Sequence, residues 1–228
     1  MSFADDSDVV VLSVPPGPSS PEPERRLAAE LPAQARLVYL STTGVYAPGQ
    51  GAEVSDGFPL APGSLRSQAR LEVEEAVRAG HENSVCLRIP GIYGPHRGVH
   101  QRMRQGGYRL IGPANTAVSR IHVDDLVAAI LLLGELEPMA HREFVIGDKK
   151  PTSSREHAMG VASHLGLQAP PTVDPESVSS EVRAMLGADR RIVPRRLLDL
   201  GWKARYPSWR EGLMQALAEE ASPEPPAS

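Results

Sequence analysis

The sequence predicts an α/β fold on a parallel sheet, and the prediction rests on three strand candidates separated by helical segments. Residues 8–14 and 84–89 are mainly apolar runs without the alternation of a half-exposed strand, and residues 37–40 form a third run. Helices are predicted at 24–31 and from Ser64 onward. Because strands alternate with helices and have the pattern of strands buried on both faces, we expect a parallel sheet covered by helices.

The composition is that of an ordinary globular protein. With 228 residues, 41% of them hydrophobic and 23% charged, the chain can bury one substantial core. Its net charge of −4 gives no electrostatic reason to expect nucleic acid or an anionic membrane as a partner. No apolar run reaches the roughly 18 residues that a membrane helix needs. Cys86 is the single cysteine, which excludes an internal disulfide framework and fits a reducing cytoplasm.

The other elements follow from local signals along the chain. Prolines make residues 15–23 a loop, and Asp124 is expected to cap a helix through Leu133. Ser64 is expected to cap a helix whose apolar residues form one face. The charged residues placed outside that face are Glu72, Glu74, Glu75 and Arg78. Further candidates are helices at 99–105, 153–165, 178–186 and 207–218, strands at 108–111 and 143–147, and a disordered tail at 221–228.

Four segments resemble, in order and spacing, the extended short-chain dehydrogenase/reductases of the NAD-dependent epimerase/dehydratase family. They are DVVVL at 8–12, STTGVY at 41–46, LRIPGIYGP at 87–95 and RIHVDD at 120–125. The resemblance covers about residues 8–217. It implies a Rossmann-like domain over residues 1–220, with the elements of a substrate lobe mainly after residue 95. It also implies NAD or NADP as cofactor, a sugar-like or nucleotide-linked small molecule as substrate, and a homodimer as a candidate assembly.

The resemblance also assigns roles to residues near the strand ends. Thr42 matches the hydroxyl that aligns the substrate for proton transfer, and the alternative is that it only satisfies backbone groups at a strand end. Solvated surface side chains are the alternative for the arginines. The positions matched to cofactor binding are Ser13, Val14, Ser41, Arg70, Pro90 and Tyr93. Those matched to an anionic substrate are Arg66, Arg88, Arg97 and Arg102.

The chain departs from the family pattern at the tyrosine and lysine of the proton relay. The spacing from Tyr46 and Glu74 places Arg66 at the tyrosine position and Arg70 at the lysine position. A guanidinium stays protonated and cannot shuttle a proton, so we do not expect the family's usual relay. Arg70 can still bind ribose hydroxyls or a phosphate. The alternative is that both arginines are solvated and pair with Glu74 or with an acid in the loop.

A second departure concerns the glycine-rich turn GxxGxxG, which binds the pyrophosphate in the family and is absent from the printed sequence. The match of residues 8–12 to the family's fourth strand predicts an incomplete sheet that lacks the first three strands. Three explanations are open: the sequence starts too late, the chain is a degenerate remnant, or a partner covers the edge. The function is accordingly an atypical family enzyme, a non-catalytic dinucleotide-binding or regulatory protein, or an inactive fragment that binds no NAD(P).

Two other chemistries are not supported. His96 and His100 have the spacing of a helical metal pair, but the sequence around them offers no carboxylate or thiol to complete a site, so no metal is expected. Cys86 lies between Val85 and Leu87 in a strand candidate, where a cysteine is a small buried hydrophobe rather than a nucleophile.

Overall fold

The structure is a computed structural model that describes residues 9–16, 21–136 and 141–222. Within these ranges the chain alternates strands and helices, with two additional 3₁₀ turns at Thr43–Val45 and Pro175–Ser177. In chain order the elements are β1 (Val9–Leu12), α1 (Glu22–Glu30), β2 (Arg36–Thr42), β3 (Glu53–Val54), α2 (Leu65–Gly80), β4 (Ser84–Ile89), β5 (Gly91–Tyr93), α3 (Val99–Arg104), β6 (Leu110–Ile111), β7 (Ala117–Val118), β8 (Arg120–His122), α4 (Val123–Glu135), β9 (Glu143–Val145), β10 (Thr152–Ser153), α5 (Ser154–His164), β11 (Thr172–Val173), α6 (Ser180–Gly187), β12 (Arg191–Ile192), α7 (Arg195–Asp199) and α8 (Trp209–Ala221).

The central sheet has four strands in the order β1-β2-β4-β9, and all of its pairings are parallel. Alternate residues of β2 enter two different cores. Leu37 and Tyr39 pack with residues of α1 and α2, whereas Val38 packs with residues of α4. Helices therefore cover both faces of the sheet, and the predicted α/β fold with a parallel sheet is confirmed. The carboxyl ends of all four strands lie at the same edge, where open α/β sheets place their ligands.

β1 differs from the prediction of a strand buried on both faces. Val9 is 44% exposed and Val11 is 42% exposed, while Leu12 is buried. β1 stands at the end of the sheet, with β2 as its one neighbour among the described residues. An end strand lies beyond most of the helical cover, so apolar composition alone overestimated its burial. The predicted burial was wrong, and the parallel pairing with β2 was right.

The helix starts test the predicted caps. The hydroxyl of Ser64 accepts a hydrogen bond from the Ser67 backbone N–H at 3.2 Å, so the predicted cap of α2 is confirmed. The prediction for α4 was wrong, because His122 is the capping residue and its Nδ1 accepts from the Asp124 N–H at 3.2 Å. α1 begins at Glu22, inside the predicted loop, since a proline in the first helical turn breaks no intrahelical hydrogen bond.

A second core lies beyond the sheet and is built from α3, β6, α5 and α8. Trp209 of α8 is fully buried there against Ala158 and Val161 of α5. Gly160 allows this contact, because a Cβ atom at that position would lie 2.2 Å from Trp209 Cη2. α8 runs to Ala221, and the part of the predicted tail after Ser222 lies outside the described residues. In the described ranges, no helix is both long and apolar enough to cross a membrane.

Candidate functional site

The carboxyl edge of the sheet brings several of the predicted site residues to one side of the molecule. Ser13 and Val14 follow β1 and are exposed. Thr42 ends β2, and Pro90 separates β4 from the short strand β5. Tyr93 ends β5 and is 5% exposed. Because all these positions follow parallel strands, the edge has the layout of a ligand-binding cleft.

Thr42 and Ser41 both use their hydroxyl groups within the protein. Thr42 Oγ1 accepts a hydrogen bond from the Gly44 backbone N–H at 3.1 Å, where β2 turns into a 3₁₀ helix. This is the backbone role that the alternative interpretation gave to Thr42. Ser41 is buried, and its hydroxyl donates to Glu74 Oε1 at 2.6 Å. The catalytic role of Thr42 and the cofactor role of Ser41 stay predictions.

Glu74 forms a buried ion pair with Arg88 directly beneath the cleft. Arg88 Nη2 and Nε donate to Glu74 Oε2 at 2.7 and 3.2 Å, and Nε also lies 3.0 Å from Oε1. The side chains are 0% and 3% exposed, so the prediction that Glu74 lies outside the helix core was wrong. Glu74 is buried because it meets a cation and the hydroxyl of Ser41 there. Arg88 is therefore committed to a protein carboxylate, and its substrate role stays a prediction.

The two tyrosines near this pair remain protonated phenols. The Arg88 guanidinium lies 4.9 Å from the ring centroid of Tyr46, whose Oη has no hydrogen-bond partner among the described residues. Burial raises the pKa of Tyr46 to about 12. Burial likewise raises the pKa of Tyr39 to about 12, although Arg70 acts against the shift. Neither phenol has the lowered pKa that a proton relay requires.

Arg70, which the sequence matched to the lysine position, points at the end of β2. Its Nη1 donates to the Leu40 carbonyl at 2.9 Å and to Tyr39 Oη at 3.3 Å. The alternative pairing with Glu74 is wrong, since Glu74 is taken by Arg88. Arg70 is half-buried, and no ion pair within 4.0 Å joins it to a carboxylate in the described part of the chain. It therefore presents an uncompensated cation beside the cleft.

The other predicted arginines lie apart from this pair. Arg66 is exposed in the first turn of α2, with Ser67 beside it. Arg97 is exposed, and its backbone forms a tight bridge with Gly94. The guanidinium of Arg102 lies 5.3 Å from the Tyr108 ring centroid, on the short helix α3. Thr42, Arg70 and Pro90 thus lie at or beside the ends of β2 and β4, and these three arginines lie on the surface. Tyr93 ends β5, outside the four-stranded sheet, and its Oη donates to the Ser208 carbonyl at 3.3 Å.

Sequence reasoning missed a buried charged cluster at the same edge of the sheet. Asp148 follows β9 and is 1% exposed, and its N–H donates to the Arg120 carbonyl at 2.7 Å. Asp148 Oδ1 has no partner among the described residues. Burial raises the pKa of Asp148 to about 7, against the nearby charge of Arg120. The strand candidate at 143–147 followed by an acid was the signal that could have found it.

A second missed residue is Glu220, near the end of α8. Its Oε1 accepts from the His96 backbone N–H at 2.7 Å and lies 2.9 Å from His100 Nε2. The sequence around these histidines could not reveal this contact, because Glu220 comes from about 120 residues further along the chain. Arg104 also donates to Glu220. Among the described residues there is no group of three or more histidine, cysteine or acidic side chains placed to hold a metal ion.

A shallow cavity of about 370 Å³ lies away from the carboxyl edge. It is formed by the second half of α2 and the start of β9, at the amino ends of the strands. Its walls carry two acidic and two basic side chains, which are Glu75, Glu143, Arg78 and Arg142. Arg142 donates to the carbonyls of Ser84 and Arg78 at 2.9 and 3.0 Å, so its guanidinium is already hydrogen-bonded within the protein. The cavity is separate from the candidate site.

Comparison with known proteins decides the family. The model of the NAD dependent epimerase/dehydratase family matches residues 25–147, which is more than half of the chain. The chain belongs to the NAD-dependent epimerase/dehydratase family. The sequence resemblance is thereby confirmed for the family, and NAD(P) is the cofactor of the family as a whole. A search of curated protein sequences gave no significant match.

Solved structures similar to this family member show the same fold. A conserved protein of unknown function from Silicibacter pomeroyi has a TM-score of 0.80 and 29% identity, covering 94% of this chain and 79% of that one. Human epimerase family protein SDR39U1 with NADPH has a TM-score of 0.74 and 21% identity, covering 87% and 72%. MoeE5 in complex with UDP-glucuronic acid and NAD has a TM-score of 0.71 and 22% identity, covering 86% and 68%.

The described residues fit one end of a dinucleotide better than the other. Arg70, which donates to the Leu40 carbonyl, and the hydroxyl of Thr42, two residues further along β2, are donors suited to ribose hydroxyls and a carboxamide. The start of α1 does not suit a pyrophosphate, because Glu22 and Glu24 lie in its first turn and repel an anion. The printed sequence also contains no GxxGxxG. The fit is therefore to the nicotinamide and its ribose.

Proposed function

We propose that this family member binds NAD or NADP together with a sugar-like or nucleotide-linked small molecule at the carboxyl edge of its sheet, without the tyrosine relay of its relatives. The observation that carries the proposal is the uncompensated cation of Arg70 beside the end of β2. A half-buried guanidinium without a carboxylate is suited to ribose hydroxyls or phosphate oxygens. The complex of the similar protein MoeE5 with UDP-glucuronic acid and NAD supports this class of ligand.

The roles of the residues follow from their chemistry. Bound NAD(P) would supply a centre that accepts or donates hydride. Arg70 would hold the ribose. Thr42 Oγ1 accepts from the Gly44 N–H, so the hydroxyl proton is free and would point to a substrate oxygen. Arg66, at the tyrosine position, would bind an anionic substrate group and move no proton. Ser13, Val14, Pro90 and Tyr93 are proposed as the walls of the cofactor site.

Titration with NADPH and NADH by calorimetry tests the binding. Arg70→Met should weaken nucleotide binding by at least about tenfold, since a hydrogen bond to a charged group contributes about 1.5–3 kcal/mol. Arg78→Met is the matched control, because Arg78 is half-buried on the same helix and lies two turns away from the cleft. The affinity of Arg78→Met for the nucleotide should stay within about twofold of that of the parent. A folded protein that binds neither nucleotide at millimolar concentration would contradict the proposal.

A second candidate is a dinucleotide-binding protein without catalysis. It is favoured by the exposure of Arg66 and by the raised pKa values of Tyr39 and Tyr46, which leave no phenol ready to transfer a proton. Incubation with NAD and UDP-glucuronate, followed by absorbance at 340 nm and NMR of the sugar, separates the two functions. Binding without any change in absorbance or sugar signals supports the non-catalytic function, whereas turnover supports the atypical enzyme. A chain that does not fold by circular dichroism supports the inactive fragment.

The proposal also includes the oligomeric state of the protein and its location in the cell. We propose a cytoplasmic protein with a small-molecule partner, no nucleic acid or membrane partner, and a homodimeric state. The negative net charge of −4 and the single buried Cys86 support this environment. Light scattering after size exclusion tests the dimer, and a mass equal to one chain at micromolar concentration would refute it. The elements after residue 95 are proposed as the substrate lobe.

A further inference from the structure

Helix α2 is joined to strand β2 at two successive turns. Arg70 Nη1 donates to the Leu40 carbonyl of β2 at 2.9 Å. One turn later, Glu74 Oε1 accepts from the hydroxyl of Ser41, the next residue of β2, at 2.6 Å. Because residues four apart lie on the same face of a helix, both contacts belong to the face that α2 turns toward β2. Together they fix how the first half of α2 lies against the end of this strand.

The carboxylate of Glu74 also reaches the neighbouring strand. Arg88 Nη2, on β4, donates to Glu74 Oε2 at 2.7 Å. Ser41 and Arg88 lie opposite each other in the parallel pairing of β2 and β4. A single buried carboxylate therefore joins α2 to both strands at the same level of the sheet. Ser41 is 5% exposed and the other two side chains less, so water does not compete for these hydrogen bonds.

Arg70 lies on the side of this junction that is nearer to the candidate site. α2 connects the carboxyl end of β2 to the amino end of β4, so its residues close to Ser64 lie closest to the carboxyl edge. Arg70 precedes Glu74 by one turn, which is about 6 Å along the helix axis. Its Nε and Nη2 have no hydrogen-bond partner among the described residues. The junction at Glu74 is thus placed to set the direction of these unused N–H groups.

We propose that Ser41 and Glu74 are positioning residues that act on a bound ligand through Arg70. Their hydrogen bond keeps α2 in the position from which Arg70 presents its unused N–H groups to ribose or phosphate oxygens. The identity of the ligand rests on the proposed function, whereas the effect on Arg70 does not. In this role the hydroxyl of Ser41 contacts the carboxylate of Glu74 and not the cofactor, in contrast to the role that the family resemblance implies.

The variant Ser41→Ala tests the role, because it removes one hydrogen bond and leaves the Glu74–Arg88 ion pair in place. Calorimetric titration with NADPH and NADH should show an affinity about fivefold weaker than that of the parent, as for residues coupled through one hydrogen-bond network. In the Arg70→Met background, the same change should weaken binding by less than about 1.5-fold. A serine that only stabilises the fold would have the same effect on affinity in both backgrounds.

Ser84→Ala is the matched control. Ser84 is also a buried serine of the sheet, and its hydroxyl donates to the carbonyls of Val77 and His81 at 3.3 and 2.7 Å. These contacts hold the opposite end of α2, at the amino ends of the strands. The affinity of Ser84→Ala for either nucleotide should stay within about twofold of that of the parent. Circular dichroism verifies that each variant is folded.

The reactivity of Arg70 provides a measurement that needs no ligand. Phenylglyoxal modifies accessible guanidinium groups, and mass spectrometry of peptides gives the rate at each arginine. Arg109 is exposed and serves as the reference within the same molecule. Relative to Arg109, Arg70 should react at least about threefold faster in Ser41→Ala than in the parent, because loss of a hydrogen bond favours local opening. Ser84→Ala should leave this ratio unchanged.

The outcomes separate the positioning role from the proposed function. If Ser41→Ala changes neither the affinity nor the reactivity of Arg70, the positioning role is refuted. It is also refuted if Ser41→Ala weakens binding equally with and without the Arg70 side chain. If the folded parent binds neither NADPH nor NADH, the proposed function fails, and the reactivity of Arg70 still decides the role of Ser41. A faster reaction in Ser41→Ala alone then supports that role, and an unchanged rate overturns it.

Discussion

Replacing Glu74 by glutamine removes the charge that compensates Arg88 in the core of the molecule. Glu74 is 0% exposed and Arg88 is 3% exposed, with two guanidinium nitrogens within 3.2 Å of the carboxylate. Because neither group is screened by solvent, Glu74→Gln leaves a buried, unpaired guanidinium. Breaking a buried pair in this way costs about 3–5 kcal/mol. For a chain of this size, that corresponds to a drop in Tm of roughly 6–20 °C.

Urea unfolding followed by circular dichroism measures this cost, with thermal unfolding as a second readout. Glu75→Gln is the control, because Glu75 is the next residue of α2, is exposed and should change the free energy of unfolding by less than about 0.5 kcal/mol. A double variant, Glu74→Leu/Arg88→Met, should recover much of the loss, since well-packed apolar residues replace such pairs at little cost. A loss below about 1 kcal/mol for Glu74→Gln would refute the buried pair.

Two further predictions concern pH and packing. Burial raises the pKa of Asp148 to about 7. The contribution of this carboxyl group to the free energy of unfolding is therefore complete below about pH 4 and is lost as the pH rises through 7. Asp148→Asn should therefore be more stable than the parent at pH 8 by up to about 4 kcal/mol and comparable near pH 4, in urea titrations at both values. Gly160→Ala should destabilise the protein by about 1–3 kcal/mol through its clash with Trp209, whereas Gly57→Ala, where a Cβ meets nothing within 4 Å, should not. Equal melting temperatures for these two glycine variants would contradict the packing argument.

Local patterns along the chain were sufficient to predict the fold class and several boundaries of helices and strands. Burial of Leu37 and Val38, and the cap at Ser64, depend on residues a few positions apart, and these predictions agree with the structure. The predicted burial of β1 was wrong because its exposure depends on its place at the end of the sheet, which composition does not encode. His122 replaced Asp124 as a cap because a ring nitrogen at the right position competes with a carboxylate two residues later.

The errors at the site share a different cause. Glu74 was placed outside because a carboxylate is costly to bury without a partner, and its partner Arg88 lies on the next strand. Glu220 reaches His100 from α8, near the end of the chain. Asp148 became notable only once its burial and its unpartnered Oδ1 were known. Spacing in one sequence cannot show contacts between residues that meet only through the tertiary fold.

The two arginines that the sequence matched to the relay positions differ in their surroundings. Arg66 and Arg70 have the same residue type and lie one turn apart, but the fold leaves Arg66 exposed and holds Arg70 against the Leu40 carbonyl at 2.9 Å. A lysine at position 70 would present one compact cation, whereas the guanidinium can hold Leu40 and keep further N–H groups for a ligand. We therefore propose that the binding half of the family site is retained at residue 70. Because Arg66 cannot transfer a proton, the same proposal leaves out the proton-transfer half.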